Sequence, residues 1–434
     1  MNIVVMKFGG TSVADAERIK RAAARIVAKR EAGHRVVAVL SARGKTTDEL
    51  IAMAEEVSPA PDPREMDMLL STGERISCAL CAMAINDLGH EALSLTGSQA
   101  GIVTDTSHTK ARILDVRADR IIAALDDEKI VLVAGFQGVS TSHDVTTLGR
   151  GGSDTTAVAV AAALGAEVCE IYTDVAGVFS ADPRLVPDAR KLAVVSFEEM
   201  LEMSASGAGV LQLRSVEYAR THGVRIHCRS SFDDGPGTVV VPEEEAMEHP
   251  LVTAVTHSTA ETRITLLGVP DTPGIAGRIF RAMADANVNV DMIIQNEPLS
   301  DLPSPPIAGG RLGTGARRAD MSFTVPREDG RIAREALDAI VGDLGIEHVA
   351  AEESMGKVSI VGAGMRSHPG VAATVFTVLG DAGINIEMIS TSPIKISCVI
   401  AADRVPEAVR GLHSAFRLSG EDTIQAEDPF GGPR

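Results

Sequence analysis

Residues 144–166, DVTTLGRGGSDTTAVAVAAALGA, set Arg150 among Gly149, Gly151 and Gly152, with Ser153 and Asp154 opening the Ala/Val run that follows. Glycines let a turn bring its amides close to an anion, and an arginine fork can grip a carboxylate at two points. A Ser-Asp pair at a helix start lies where free N–H groups point outward. A loose loop ending in an N-cap explains Ser153 or Asp154 but not an arginine inside three glycines, so the turn reads as a site for an anionic ligand.

Other stretches offer related chemistry. In VVMKFGGTSVADAERI, Lys7 closes an apolar strand, Gly9 and Gly10 make a bare turn, and Thr11 or Ser12 starts a helix. A cation at a strand's carboxyl end beside a glycine turn suits a phosphate, although a strand-end lysine can equally reach to solvent. STGERIS places Glu74 in the first turn of an expected helix, where a carboxylate is also favoured as a plain cap. In IYTDVAGVFSADPR, Thr173, Asp174, Asp182 and Arg184 are candidates for a nucleotide's base, ribose and phosphates, or are turn formers. VVAVLSARGKTTDEL imitates a phosphate-binding loop, but the required first glycine is Val39, inside the strand; Ser41, Thr46 and Thr47 remain as hydroxyl donors or N-caps. Cys78 and Cys81 form a single C-x-x-C within an apolar helix and read as core residues.

The framework that must position these groups is α/β. Across residues 1–241 the apolar runs NIVVMKF, RVVAVLS, KIVLVAGF, VCEIYTD, RIHCRS and GTVVV alternate with amphipathic or Ala-rich helical stretches. That alternation predicts a mostly parallel sheet covered by helices on both faces. At 434 residues the chain has room for two or three domains. A net charge of -18 argues against nucleic acid or an anionic membrane as partner, while leaving room for a local basic pocket. The N-terminus lacks a basic leader and no apolar run is expected to span a membrane, so a cytoplasmic protein is expected. Five scattered cysteines suit a reducing compartment, and eleven histidines without ligand spacing predict no protein-built metal site.

The C-terminal part repeats itself. TPGIAGRIFRAMADANVNVDMI (272–293) aligns with HPGVAATVFTVLGDAGINIEMI (368–389), matching Pro273 to Pro369, Gly274 to Gly370, Phe280 to Phe376 and Asn289 to Asn385. The first copy reads as strand 263–268, helix 274–286, strands 288–295 and 320–325, helix 330–343 and strand 346–351, the ferredoxin-like β-α-β-β-α-β order. The second gives strand 357–363, helix 370–382, strands 384–391 and 394–400 and helix 405–416, one strand short. The orphan run 251–258 supplies the missing strand if the first unit, 263–351, is inserted in the second, 251–258 plus 356–420. Residues 242–250 read as a linker and 421–434 as a tail.

Together KFGGTSVADAERI, SARGKTTDEL, GERIS, TGSQAG, DVTTLGRGGSDTTAVA, IYTDV-GVFSADPR and the paired PG…N(V/I)(D/E)MI repeats resemble the aspartate kinases of the amino-acid kinase family, in their actinobacterial two-subunit form with two ACT domains. The resemblance implies transfer of the ATP γ-phosphoryl group to the β-carboxylate of L-aspartate, with Mg2+, towards lysine, threonine and methionine. Lys7, Gly9 and Gly10 would serve the phosphates, with Thr173, Asp174, Phe179, Asp182 and Arg184 at the nucleotide. Arg150 would take the substrate α-carboxylate and Glu74 its ammonium. Ser41, Thr46, Thr47, Gly151, Gly152 and Ser153 would complete the substrate site, and Asp154 would orient its cations. Asp271, Gly274, Ala276, Asp291, Gln295, Asn385 and Ile386 match positions that bind the effectors lysine and threonine.

The sequence also departs from that pattern. Gly209 stands where the family has a phosphate-facing lysine, the loop 297–319 is long, and Pro393 replaces a usual glutamate, so altered feedback is expected. Two other readings are a weakly catalytic amino-acid sensor and a kinase of another acidic amino acid. Met247, behind Glu-Glu codons, could start an ACT-only subunit, giving an α2β2 assembly in place of a homo-oligomer.

Overall fold

The structure, a computed structural model, describes residues 2–246, 251–296, 318–368 and 370–420. Met247, part of the expected linker, residues 297–317 of the long loop, Pro369 and the tail 421–434 lie outside the described residues. The chain divides into two compact units: Met1–Ser180 with Asp188–His249 and Ser419–Arg434, and Ala181–Pro187 with Pro250–Leu418.

In the first unit, β1 (Ile3–Phe8), α1 (Ala16–Glu31), β2 (Arg35–Leu40), α2 (Thr46–Val57), α3 (Pro63–Leu70), α4 (Thr72–Asp87) and β3 (Ala92–Leu95) come first. They are followed by β4 (Ile102–Thr104), β5 (Ile113–Val116), α5 (Asp119–Asp126), β6 (Ile130–Ala134), β7 (Gln137–Ser140), β8 (Val145–Thr147) and α6 (Gly152–Ala163). The unit ends with β9 (Val168–Thr173), β10 (Val194–Ser196), α7 (Phe197–Ala205), α8 (Leu213–His222), β11 (Arg225–Ser230) and β12 (Thr238–Val241).

Eight strands form one sheet in the order β10-β12-β11-β9-β1-β2-β6-β3, parallel throughout except at β11–β12. The central strands are apolar at successive positions because both faces are covered. On one face α1 places Ile19, Ala22, Ala23, Ile26 and Val27 at helical spacing against Met6, Phe8, Val36, Ala38 and Leu40. Cys78, Cys81 and Ile85 of α4 join the same core, and burial pushes the Cys81 thiol up to about 12. On the other face lies α6, whose first ten residues are all buried. Its Ala/Val composition is that of a helix enclosed on every side.

Contrary to expectation, the run Pro63–Asp87 has the length and apolarity of a membrane span. Here it comprises α3 and α4, which meet at Ser71, carry the buried carboxylates Asp67 and Glu74, and contribute to the sheet's core. A smaller sheet, β5-β4-β7-β8, has no counterpart in the sequence reading. Its strands are three or four residues long, too short for an alternation to register.

The second unit contains β13 (Ala254–Pro270), α9 (Ile275–Asp285), β14 (Asp291–Asn296), β15 (Arg318–Pro326), α10 (Gly330–Asp338), α11 (Val341–Leu344) and β16 (His348–Val361). Then come α12 (Gly370–Asp381), β17 (Met388–Ser392), β18 (Lys395–Ala401) and α13 (Val405–Ala415). Its six-stranded sheet is antiparallel, in the order β14-β15-β13-β16-β18-β17.

The sequence divides 251–268 into two strands and 346–363 into two more; the structure makes each pair one long strand. The polar residues Thr259, Glu261 and Thr262 and the run Glu352–Ser354 read as breaks. They stay extended because β13 and β16 remain paired along their lengths, absorbing the misfit as register shifts between Ser258 and Arg263. The first half of β13 pairs with the last residues of β16, beside β18, and its second half with the start of β16, beside β15.

Candidate active site

The candidate residues of the first unit gather at the carboxyl ends of β1, β2, β6 and β9, the edge where an open parallel sheet presents ligand sites. Lys7, paired in register with Val39 of β2 and Ile171 of β9, leaves the face opposite Met6 and Phe8. Its Nζ lies 2.5 Å from Oδ1 of Asp154, in the first turn of α6, and both side chains are nearly enclosed. A carboxylate in the first turn suits the helix dipole, and Lys7 is its ion-pair partner.

The glycines bring backbone to this pair. A Cβ on Gly10 would come to 2.8 Å from the Ala42 carbonyl oxygen, while Gly44 N–H donates to the Gly10 carbonyl at 2.9 Å. The β1 and β2 turns therefore touch backbone to backbone. Gly151 has φ +72°, and a Cβ there would meet Gln212 Cγ at 2.0 Å, so both conformation and space demand glycine. Ser153, buried, follows it. Arg150 is exposed and makes no hydrogen bond or ion pair among the described residues, which leaves its fork available at the rim.

Glu74 is 3% exposed. Its Oε1 accepts from Ala42 N–H at 3.1 Å, while Oε2 is buried without a hydrogen-bond partner among the described residues. Burial pushes its pKa up to about 7, against the opposing pull of backbone donors and Arg75. A simple helix cap would have both oxygens answered by its own helix; this one instead bonds across to the β2 turn beside Ser41. Thr46 and Thr47 open α2, with Thr46 close to Gly73.

At the β9 end, Thr173 Oγ1 donates to Asp174 Oδ1 at 3.2 Å, and Phe179 bridges to Lys191. Asp182 and Arg184 fall in the segment that groups with the second unit. There Arg184 donates from Nη2 to Asp182 Oδ2 at 2.6 Å and holds that carboxyl below its ordinary range. Among the described residues no three His, Cys, Asp or Glu side chains are grouped to hold a metal ion.

The amino acid kinase family model matches residues 2–230, and ACT domain models match residues 263–342 and 358–416. An aspartokinase of Mycolicibacterium smegmatis is 56% identical over 425 residues, 97% of this chain and 98% of that protein. The chain belongs to the aspartokinase family. An aspartokinase of Corynebacterium glutamicum is 52% identical over the same share of the chain. E. coli aspartokinase III in complex with aspartate and ADP, its R-state, superposes with a TM-score of 0.80 at 26% identity, covering 95% of this chain and 99% of that one. The same enzyme with lysine and aspartate, its T-state, superposes with a TM-score of 0.69.

The family's expected effector positions lie within the second unit. Gly274, with φ +96°, caps α9, and Ala276 is in its first turn; Asp271 is exposed just before them. Asp291 and Gln295 are on β14, and Asn385 Nδ2 donates to Glu387 Oε1 at 2.7 Å just before β17. Ile386 between them is half-buried.

Sequence reasoning missed the groups that brace the site. Asp67, fully buried, accepts from Thr147 Oγ1 at 2.5 Å and Thr109 N–H at 3.1 Å, with His108 Nδ1 at 2.7 Å. It thereby ties α3 to the strand that enters the glycine turn. Arg214 donates to the carbonyls of Leu148 and Ala111, at 2.9 and 2.6 Å, pinning the same turn from α8. Beneath Gly9, Tyr172 stacks on Phe8, with centroids 4.8 Å apart, and donates to Glu170, which also holds Lys29 at 2.8 Å. A lone acid inside the apolar run VCEIY was the available signal for Glu170. Asp67 and Arg214 carried none, since their partners are 41 or more residues away.

Proposed function

We propose that the chain transfers the γ-phosphoryl group of MgATP to the β-carboxylate of L-aspartate, forming 4-phospho-L-aspartate and ADP, under amino-acid control through its ACT repeats. The observation that carries this reading is the Lys7–Asp154 pair, with the half-satisfied Glu74 at the same sheet edge, in a chain aligned along nearly its whole length with aspartokinases.

One β-carboxylate oxygen attacks the γ-phosphorus as the bond to the bridging oxygen of ADP breaks. The nucleophile is already an anion at neutral pH, so no proton moves and no general base is needed. What the protein supplies is alignment and neutralisation of charge. Lys7 stands at the transferring group, and Asp154 fixes its ammonium. The N–H groups of Gly10 and Gly151, and the hydroxyls of Ser41, Thr46, Thr47 and Ser153, give donors for phosphate and carboxylate oxygens, in turns shaped by Gly9 and Gly152, whose own N–H groups donate to the carbonyls of Tyr172 and Gly149. Arg150 receives the α-carboxylate, and the free Glu74 oxygen receives the ammonium. Thr173, Asp174 and Phe179 serve the nucleotide within the first unit, and Asp182 and Arg184 remain candidates by family resemblance alone. Mg2+ would enter with the nucleotide, as MgATP.

Lysine and threonine are the proposed effectors at Asp271, Gly274, Ala276, Asp291, Gln295, Asn385 and Ile386, with feedback altered by the long loop and Pro393. Translation from Met247 would give a subunit carrying the whole six-stranded sheet, for an α2β2 assembly; a single full-length band on a blot would remove that proposal. The test of the activity is hydroxylamine trapping of the acyl phosphate from L-aspartate and MgATP. Hydroxamate is expected with aspartate and not with glutamate or N-acetylaspartate; none with aspartate overturns the reading.

A further inference from the structure

In the second unit each repeat carries an acid at the same place, Asp291 in the first and Glu387 in the second, and each is held by a cation from a strand that both repeats share. Arg263 of β13 donates to Glu387 Oε2 and Glu352 Oε2, both at 2.8 Å. Lys357 of β16 places Nζ 2.8 Å from Asp291 Oδ2 and 3.5 Å from Glu261 Oε1.

The two grips differ in one respect. Around Arg263 both acids reach solvent, with side chains 30% and 48% exposed. Around Lys357 only Asp291 does, at 51%, while Lys357 is 5% and Glu261 10% exposed. A lysine pulled from Asp291 therefore keeps a buried carboxylate beside it. Without that second acid, displacement would strand a buried ammonium, which is strongly unfavourable. The three groups carry one net negative charge, so the cluster can admit one more cation, with Lys395 adding only a weaker field.

Asp291 is also held in an unusual backbone. Its Oδ1 accepts from Met292 N–H at 2.8 Å, Met292 is left-handed at φ +48°, and the β14–β15 register breaks between Asp291 and Ile294. A long side chain seldom adopts that conformation unless its surroundings impose it.

We propose that Lys357 is a built-in competitor for the Asp291 carboxylate, holding the place an effector's ammonium takes, so that an amino acid binds only by pushing Lys357 onto Glu261. Lys357 is thus a positioning residue for effector specificity, and the proposal rests on the reading that Asp291 is an effector-binding residue.

The test is calorimetric titration of L-lysine and L-threonine into the full chain, wild type, Lys357→Met and Glu261→Gln, with thermal unfolding as the check on folding. Removing the competitor tightens binding of the amino acid that uses Asp291 by about tenfold, within the usual range of coupling between sites. Removing the fallback acid weakens it several-fold. Shifts of opposite sign are what a merely structural lysine would not give. Unchanged or weaker binding by Lys357→Met overturns the proposal. Should that variant not fold, Glu261→Gln decides alone, and equal or tighter binding overturns it. If wild type and variants bind neither amino acid, the effector reading itself fails and takes this proposal with it.

Discussion

In the first unit Glu74 is buried with one carboxylate oxygen unanswered, whereas in the second unit Lys357, just as buried, is held between Glu261 and Asp291. The parallel sheet ends in a place where a charge is kept out of water at the fold's expense. The antiparallel sheet binds its buried charge to its neighbours, so the same kind of group works for the fold. The difference separates a group reserved for a ligand from a group that can change partners. It can be tested by neutralising each in turn.

The largest effect belongs to Lys7. Lys7→Met should lower kcat for hydroxamate formation by about 10²–10³, the usual loss for one preorganised charge at a transferring group. A fall below tenfold would remove Lys7 from the transition state. Next, Glu74→Gln should cut kcat/KM for aspartate by roughly 10², since a buried charge-assisted bond is lost. In the wild type that parameter should fall as pH drops below about 7, where Glu74 takes up a proton, and the variant should lose this limb.

The same substitution tests the comparison through stability. Because the folded-state pKa is raised from 4.5 to about 7, the ionised carboxylate opposes folding. The penalty is absent below the lower value, grows between the two and is complete above the higher. Glu74→Gln should therefore gain on the order of 2 kcal/mol at pH 8 and nothing at pH 4. A lower melting temperature at pH 8 would break the contrast between the units. In the second unit Arg263→Gln should go the other way and destabilise by about 1 kcal/mol, small because its acids are partly solvated. The smallest effect is at Gly209, around which a side chain would meet nothing within 4 Å. Gly209→Lys should lower KM for ATP a few-fold by adding an exposed cation near phosphate; an unchanged value would place residue 209 away from the nucleotide.

Much of this was legible because the groups sit in short contiguous stretches. Lys7 and the Arg150–Asp154 turn carry chemistry and backbone signals together, so their residue types alone suggested an anion site. The order of the central strands' partners was not legible, and neither was the pairing of Lys7 with Asp154 across 147 positions of sequence, because nothing local encodes a long-range contact. Nothing in PREMDMLL marks Asp67, which only burial and partners distant in sequence distinguish. The long strands were misread for the converse reason: Glu261 and Glu352 are polar and yet lie within a continuous ladder.

The sharing of β13 and β16 has a hereditary consequence. A duplicated segment normally leaves its descendant free to shed one copy. Here the two copies complete each other's sheet, since each long strand serves one copy with its first half and the other with its second. A deletion of either copy would have to sever both long strands at their middles, and a cut between Ser258 and Arg263 would open both at once. From the moment the strands became continuous, the pair could only be inherited, lost or passed to another gene as a single piece.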